Sequence, residues 1–145
     1  MSKETVNAAQ LAAKQERIKT AEVKGLTGKL GIEFTKLELD CVEAEMGVGP
    51  DLHQPFGIMH GGVSLCLAES VASVGAWLNA DEGQGVIGVE INANHLRKVK
   101  DGTLRAVAVP LHKGRTSQVW TVDIKRGEKL IAACRCTLMM VPLEM

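Results

Sequence analysis

The chain has 145 residues, 46% of them hydrophobic, which is the length and composition of one globular domain. Seventeen basic and seventeen acidic residues give a formal net charge of zero, which argues against a general nucleic-acid binder because such proteins carry a basic excess. The first residues contain no apolar stretch like that of a signal peptide, and proline, histidine, glycine and glutamate interrupt the most apolar stretch, residues 52–80. We therefore expect a cytoplasmic protein without a membrane-spanning segment.

The sequence patterns predict two helices and six strands. A polar helix rich in Ala, Lys, Gln and Glu spans residues 4–24, and a long apolar helix spans 62–78. Glycine-containing turns such as Asp101-Gly102 separate the later strands, which predicts hairpins and an antiparallel sheet. The predicted strands lie at residues 32–37, 41–46, 86–97, 104–111, 116–125 and 130–141.

These elements predict an α+β fold in which one antiparallel sheet wraps around the long helix. We divide the chain into an N-terminal helical segment, 1–25, and a single domain, 26–145. The long helix is apolar on nearly every face, so we expect it to be buried all round. One curved sheet covers only part of a helix, so we expect a second copy of the chain to cover the rest.

Glu69 is the only Asp, Glu, Lys or Arg between Leu52 and Ala80. Burying a carboxylate is costly unless it is paired or used, and buried carboxylates with displaced pKa values are typical of active sites. Ser73 lies four residues later on the same helix face and could orient a water molecule or donate to the carboxylate. Two interpretations stay open: a catalytic carboxylate, or a buried glutamate satisfied by hydrogen bonds.

The long helix begins directly after His60-Gly61-Gly62. Helix N-termini present free N–H groups and a positive dipole end, which suits a developing oxyanion. Gln54 and His60 could donate to the same oxygen, although the two glycines could also simply permit a tight turn. Glu69 lies about 10 Å further along the helix. We therefore expect Glu69 of one chain to face Gly62 and Gln54 of a second chain.

Basic residues concentrate between residues 95 and 117, where Asp101 is the only acid. This predicts an anionic ligand such as the phosphates of a nucleotide-like group, although a solvated, lysine-rich sheet edge fits as well. The four cysteines lack metal-ligand spacing, so we expect reduced thiols and no metal site. Glycine patterns for binding phosphates or dinucleotides are absent, as is the G-x-S-x-G motif of serine hydrolases.

Several stretches resemble the hotdog-fold acyl-CoA thioesterases of the PaaI-like group. The stretches are 54–63, 67–70 with Ser73, 89–97, 110–115 and 118–120. They are most similar to the subgroup that hydrolyses 1,4-dihydroxy-2-naphthoyl-CoA and to its proofreading relatives acting on aromatic acyl carriers. The resemblance covers about residues 30–140, and it implies sheets joined edge to edge in dimers, a dimer of dimers, and active sites at the subunit interface.

The resemblance also implies roles for individual residues. Glu69 would be the nucleophile or general base, Gln54, His60 and the Gly62 amide would bind the thioester carbonyl, and Ser73 would assist the water. A second group would line the coenzyme A channel: Gly88, His95, Leu96, Arg97, Lys98, His112, Lys113, Gly114, Arg115, Thr116 and Ser117. Lys98 and Lys113 occupy variable positions of the family pattern.

The implied function is hydrolysis of an aromatic or medium-chain acyl-CoA, with apolar residues such as Phe56, Ile58 and Met59 tolerating either acyl group. Coenzyme A is part of the substrate, so no further cofactor is expected. Two alternatives remain on the same fold: a non-catalytic acyl-CoA-binding protein, and a dehydratase. The carboxylate favours the enzyme, because a sensor has no need to bury one beside a thioester.

Overall fold

The computed structural model describes residues 6–21 and 24–143. Its elements, in chain order, are α1 (Ala8–Ala21), α2 (Gly25–Lys29), β1 (Glu33–Glu38), β2 (Cys41–Val48), a 3-10 turn (Pro50–Leu52), α3 (Gly61–Leu78), β3 (Gln84–His95), β4 (Gly102–Lys113), β5 (Ser117–Arg126) and β6 (Lys129–Pro142).

The six strands form one antiparallel sheet in the order β1-β2-β4-β5-β6-β3. Side chains alternate between the two faces of each strand, and on β5 the inward Trp120, Val122 and Ile124 are fully buried. The α3 helix contacts all six strands. The predicted α+β arrangement, a sheet wrapped on one long helix, is confirmed.

Within one chain, the α3 helix is buried on one side only. Leu67, Val71 and Leu78 face the sheet and are fully buried. The opposite side, which includes Cys66 and Glu69, is half-exposed. The helix is therefore not buried all round by its own chain, because a single curved sheet covers one side of it.

By length and composition, α3 is apolar enough to cross a membrane, with a mean hydropathy of 1.3 over 18 residues. This differs from the sequence expectation, because Pro55 and His60, which interrupt the apolar stretch, lie before the helix begins. The helix is nevertheless the core helix of the sheet, and eight of its residues are buried.

The N-terminal helix α1 packs against the C-terminal end of α3. Lys14 Nζ donates to the carbonyl oxygens of Trp77 at 2.8 Å and Ala80 at 2.6 Å, at and just beyond the end of α3. Burial lowers the pKa of Lys14, and the charge of Asp81 opposes this effect. Lys14 and Arg17 also lie 5.3 Å and 5.5 Å from the centre of the Trp77 ring.

The start of the chain departs in two ways from the predicted helix over 4–24. The helix runs from Ala8 to Ala21, and residues 4, 5, 22 and 23 lie outside the described residues. The short helix α2 follows, where the glycines predicted only an interruption. Gly25 and Gly31 have φ values of +65° and +64° and bracket this single turn, which explains why the glycine pattern concealed it.

Candidate active site

Backbone hydrogen bonds hold the loop that leads into α3. His53 and Met59 form an isolated antiparallel bridge, and Met59 N donates to Val99 O at 2.7 Å. His60 N donates to Leu52 O at 2.8 Å. The residue before the helix is therefore fixed from both sides.

Gln54 lies in this loop with its side-chain carbonyl already used. Its Oε1 accepts a hydrogen bond from Phe56 N, and its backbone N donates to Ile58 O at 2.8 Å. Among the described residues no acceptor meets the Gln54 Nε2, so both of its amide hydrogens are available to a ligand. Phe56 itself is 90% exposed.

His60 caps the start of α3 with its own side chain. Its Nδ1 accepts a hydrogen bond from Gly62 N at 2.9 Å. A neutral imidazole that accepts at Nδ1 carries its proton on Nε2, so the exposed edge of the ring is a donor. The Gly62 N–H is therefore occupied by His60, and it reaches a substrate oxygen only by sharing that bond or by replacing it.

His95, at the end of β3, closes over the same helix start. Its Nε2 lies 3.1 Å from Gly61 O. A Cβ placed on Gly61 would lie 3.1 Å from the His95 ring, so the glycine permits this close approach. The two following residues are bound to β6: Leu96 N donates to Ile131 O at 2.8 Å, and Arg97 Nη1 donates to Leu130 O at 2.6 Å.

Glu69 projects from the half-exposed side of α3 towards the edge strand β3. A Cβ on Gly88 would lie only 2.2 Å from Glu69 Oε1, so the carboxylate rests directly on the glycine backbone. Gly88 adjoins an irregularity in the pairing with β6, between Gly88 and Glu90. The glycine therefore makes the space that the carboxylate occupies.

A cleft of about 410 Å³ opens beside Glu69. The α3 helix contributes Glu69, Ser73 and Cys66 to one wall, and the facing wall includes Ile18, Leu26 and Phe34. A larger cleft, of about 560 Å³, lies between α1 and the C-terminal end of α3. It contains none of the residues predicted to act on a substrate, so its size does not make it the active site.

The predicted coenzyme A residues fall in two separate places. His95 pairs with Ala132 on β6, whereas Ser117 pairs with Met139. Seven residues along β6 correspond to about 23 Å. The residues at 95–98 therefore lie at the opposite end of the sheet from those at 112–117, and the basic stretch of the sequence is not one cluster. The reason is that β4 runs the length of the sheet between them.

Several basic side chains of this stretch already have acidic partners. Lys113 Nζ pairs with Asp40 and also donates to Asn79 Oδ1 at 3.2 Å. Arg105 Nη2 lies 2.6 Å from Glu43 Oε2, and this pairing raises the pKa of Arg105. The phosphate-binding interpretation is therefore weakened for these two residues.

The turn between β4 and β5 is tightly packed. Gly114 N donates to Ser117 O at 2.9 Å, and a Cβ on Gly114 would lie 2.7 Å from His112 Nε2. Thr116 O accepts a hydrogen bond from Met140 N at 2.9 Å, which holds the turn against β6. Gly114 is therefore required for the ring of His112 to fold over the turn.

Comparison with known proteins identifies the family. A model of the thioesterase superfamily matches residues 56–133, more than half of the chain. The chain belongs to the thioesterase superfamily. The proofreading thioesterase EntH of Klebsiella pneumoniae is 46% identical over 113 residues, which are 78% of this chain and 82% of that protein.

Solved structures of thioesterases share the fold. A Haemophilus influenzae thioesterase superposes with a TM-score of 0.83 at 40% identity, covering 90% of this chain and 92% of its own. A glutamine-to-alanine variant of a Pseudomonas aeruginosa thioesterase gives a TM-score of 0.83 at 36% identity, covering 88% and 94%. The hotdog fold and the assignment as a thioester hydrolase are thereby confirmed.

The thioesterase chain brings its predicted site residues together in two groups rather than one. Gln54, His60 and Gly62 lie at the helix start, where His95 joins them. Glu69, Ser73 and Gly88 lie two turns further along the helix. Within one chain, the carboxylate of Glu69 does not reach the donors at the helix start. This agrees with the separation along the helix that the sequence predicts.

Phe56 and Ile58, which we expect to accommodate the acyl group, do not line the cleft beside Glu69 of the same chain, and Met59 is buried in the core. Ile18 and Leu26 line this cleft and were not among the predicted site residues, because no motif marks the segment in which they lie. Cys66 could have been found, because it precedes Glu69 by three residues and shares its helix face.

Proposed function

We propose that this thioesterase hydrolyses acyl-coenzyme A, with Glu69 as the catalytic carboxylate and the α3 start of a partner subunit as the carbonyl-binding site. The observation that carries the proposal is the carboxylate that rests on Gly88 and lines a mainly apolar cleft. Membership of the thioesterase superfamily supports the same chemistry.

The reaction does not require a strong general acid. The coenzyme A thiolate leaves readily because the pKa of its thiol is about 8.5, like that of cysteine. Glu69 either attacks the acyl carbon or removes a proton from an attacking water, which Ser73 is placed to orient. In both routes the C–S bond breaks, water supplies the new oxygen, and a proton ends on the thiolate. No metal or additional cofactor enters this scheme.

The helix start is suited to the developing oxyanion. His60 is exposed and carries its proton on Nε2, and the Gln54 amide meets no acceptor among the described residues, while the positive end of α3 adds to their field. Donors aimed at the carbonyl oxygen stabilise the charge that appears there in the transition state. We assign these groups to carbonyl binding.

A dimer joined through β3 would unite the two groups. This strand is a sheet edge, and Ile87 and Val89 on it are about half exposed. Two edges related by a two-fold axis pair antiparallel, so full overlap sets His95 of one subunit opposite the partner's Gln84. The partner's Gly88 and Ser117 then lie within a few strands of His95, which would gather the coenzyme A residues of both chains.

A second contact surface fits the proposed dimer of dimers. Val109 and Leu111 on β4 and Met139 on β6 are exposed, and Val109 and Met139 face away from the core. Exposed apolar side chains on the outer face of a sheet are a feature of surfaces that pack against another subunit. We propose that two dimers pack through this outer face of the sheet.

Replacement of the carboxylate tests the catalytic proposal. Release of free thiol from benzoyl-CoA and hexanoyl-CoA is followed with a chromogenic thiol reagent for the wild type, Glu69→Gln and the control Glu128→Gln, which alters an exposed turn residue. We expect Glu69→Gln to lose nearly all turnover while still binding coenzyme A, and Glu128→Gln to keep it. Wild-type turnover by Glu69→Gln would refute the assignment. A wild type that binds acyl-CoA without releasing thiol would be a non-catalytic binding protein.

Mixing two inactive variants tests whether the site spans two subunits. Glu69→Gln and His60→Ala are refolded together from denaturant, so that mixed dimers form. If the carboxylate and the histidine of one site come from different chains, each mixed dimer has one intact site, and about a quarter of wild-type activity returns. If both come from one chain, no activity returns, and the proposed interface is wrong.

A further inference from the structure

We propose that the N-terminal segment of this chain forms the far wall of the acyl pocket, and that Leu26 limits the size of the acyl group accepted. This inference rests on the proposed function, because the cleft is identified as the acyl pocket by the catalytic carboxylate that lines it. It assigns a role to α1 and α2, which the family match to residues 56–133 does not include.

The cleft beside Glu69 has the size and lining of a pocket for a small apolar group. Its volume of about 410 Å³ is within the range of about 300–1,000 Å³ that proteins use for small ligands. The carboxylate and Ser73 lie on one wall. Ile18, Leu26 and Phe34 on the facing wall are apolar, so an acyl chain whose carbonyl lies near Glu69 would extend between α3 and the N-terminal segment.

The charge of the lining selects the kind of acyl group. Among the described residues, Glu69 is the only charged side chain that lines the cleft, and no Lys, Arg or His is present. An acyl group with its own carboxylate, such as succinyl, would bring a second negative charge beside Glu69 without a cation to pair it. The cleft therefore favours neutral aromatic or medium-chain acyl groups.

Leu26 is held by its backbone and not by packing of its side chain. Leu30 N donates to Leu26 O at 2.9 Å, and Ile32 N donates to Thr27 O at 3.0 Å, which fixes the α2 turn. The Leu26 side chain is 58% exposed, so it lines the cleft without forming part of the core. Substitutions here change the width of the cleft and leave the fold intact.

Substitution of Leu26 in the full chain tests the inference. We would measure kcat/KM with acetyl-, hexanoyl-, benzoyl-, 2-naphthoyl- and succinyl-CoA for the wild type, Leu26→Trp, Leu26→Ala and the control Leu143→Ala. Leu143 is similarly apolar and 45% exposed, but it lines the other cleft. Leu26→Trp is expected to lower the benzoyl-to-acetyl ratio of kcat/KM about tenfold. Leu26→Ala is expected to raise the naphthoyl-to-benzoyl ratio, and Leu143→Ala to change neither.

The outcomes separate this inference from the function on which it rests. Wild-type selectivity in both Leu26 variants, with hydrolysis that still depends on Glu69, would overturn the role of the N-terminal segment alone. Efficient hydrolysis of succinyl-CoA by the wild type would overturn the selection by charge. Hydrolysis that survives Glu69→Gln would instead overturn the proposed function, whatever the Leu26 variants do.

Discussion

The fit between Glu69 and Gly88 can be tested by adding one methyl group. In Gly88→Ala the new Cβ would lie 2.2 Å from Glu69 Oε1 and 3.2 Å from Glu69 Cδ. Ordinary contacts at a Cβ begin at 3.4 Å, so the carboxylate oxygen must move away by about 1.2 Å or more. A misplacement of about 1 Å at a reacting group costs about 100-fold in rate. We therefore expect kcat to fall about 100-fold.

The same substitution should leave the fold intact. The atom that the new Cβ would meet is the far end of a flexible side chain, which can rotate away. Alanine in a strand is also favoured over glycine by about 0.5–1 kcal/mol. The melting temperature should therefore not fall, and the loss should appear in kcat alone.

The assay combines thiol release with thermal unfolding, and Gly47→Ala is the matched control. Gly47 also lies in a strand, but a Cβ there would meet no atom within 4 Å, so this variant should keep wild-type kcat. A folded Gly88→Ala protein with wild-type kcat would refute the reasoning, because the carboxylate would then not act from its position on Gly88.

Two further predictions concern the core and the cysteines. Gly75→Ala should lower the free energy of unfolding by about 1–3 kcal/mol, as measured by thermal or denaturant unfolding. The reason is that the new Cβ would lie 2.7 Å from the ring of Trp120, which is fully buried and has no room to move. Burial raises the pKa of Cys134 to about 11 and of Cys136 to about 12, so peptide mapping of native protein alkylated at pH 8 should find Cys66 modified and these two intact. The folded state retains both protons while the unfolded thiols lose theirs near pH 9, so stability should fall as the pH rises from about 9 towards 12. Equal alkylation of all three thiols, or stability that rises over this range, would contradict the burial of the pair.

The sequence predicted the parts of the site that lie on one continuous element. Glu69 stands out as the lone carboxylate in an apolar stretch, and the glycines after His60 predict the start of α3. Both lie on one helix, where the spacing of residues in the sequence gives their separation in space. The contact between Glu69 and Gly88 joins a helix to an edge strand 19 positions away. No spacing rule reports such a contact, so Gly88 was assigned only through the resemblance to hotdog thioesterases.

The sequence failed where neighbours along the chain become distant in space. His95 and Ser117 belong to one basic stretch of the sequence. In the structure, β4 runs between them and separates them by the length of the sheet. The sequence predicted Lys113 to be a phosphate ligand. In the structure its ammonium group forms an ion pair with Asp40, which precedes it by 73 positions. Charge patterning within a short window of sequence does not detect ion pairs between distant segments.

The separation within one chain has a consequence for how activity arises. The helix-start donors and Glu69 are about 10 Å apart along one rigid helix, and no side-chain rotation closes that distance. Edge pairing through β3 reverses the direction of the second chain, so it brings the His95 end of one subunit to the Gly88 end of the other. In the proposed dimer, each site takes one half from each subunit. Catalytic competence then follows the association equilibrium, and a well-folded isolated subunit would lack a complete site.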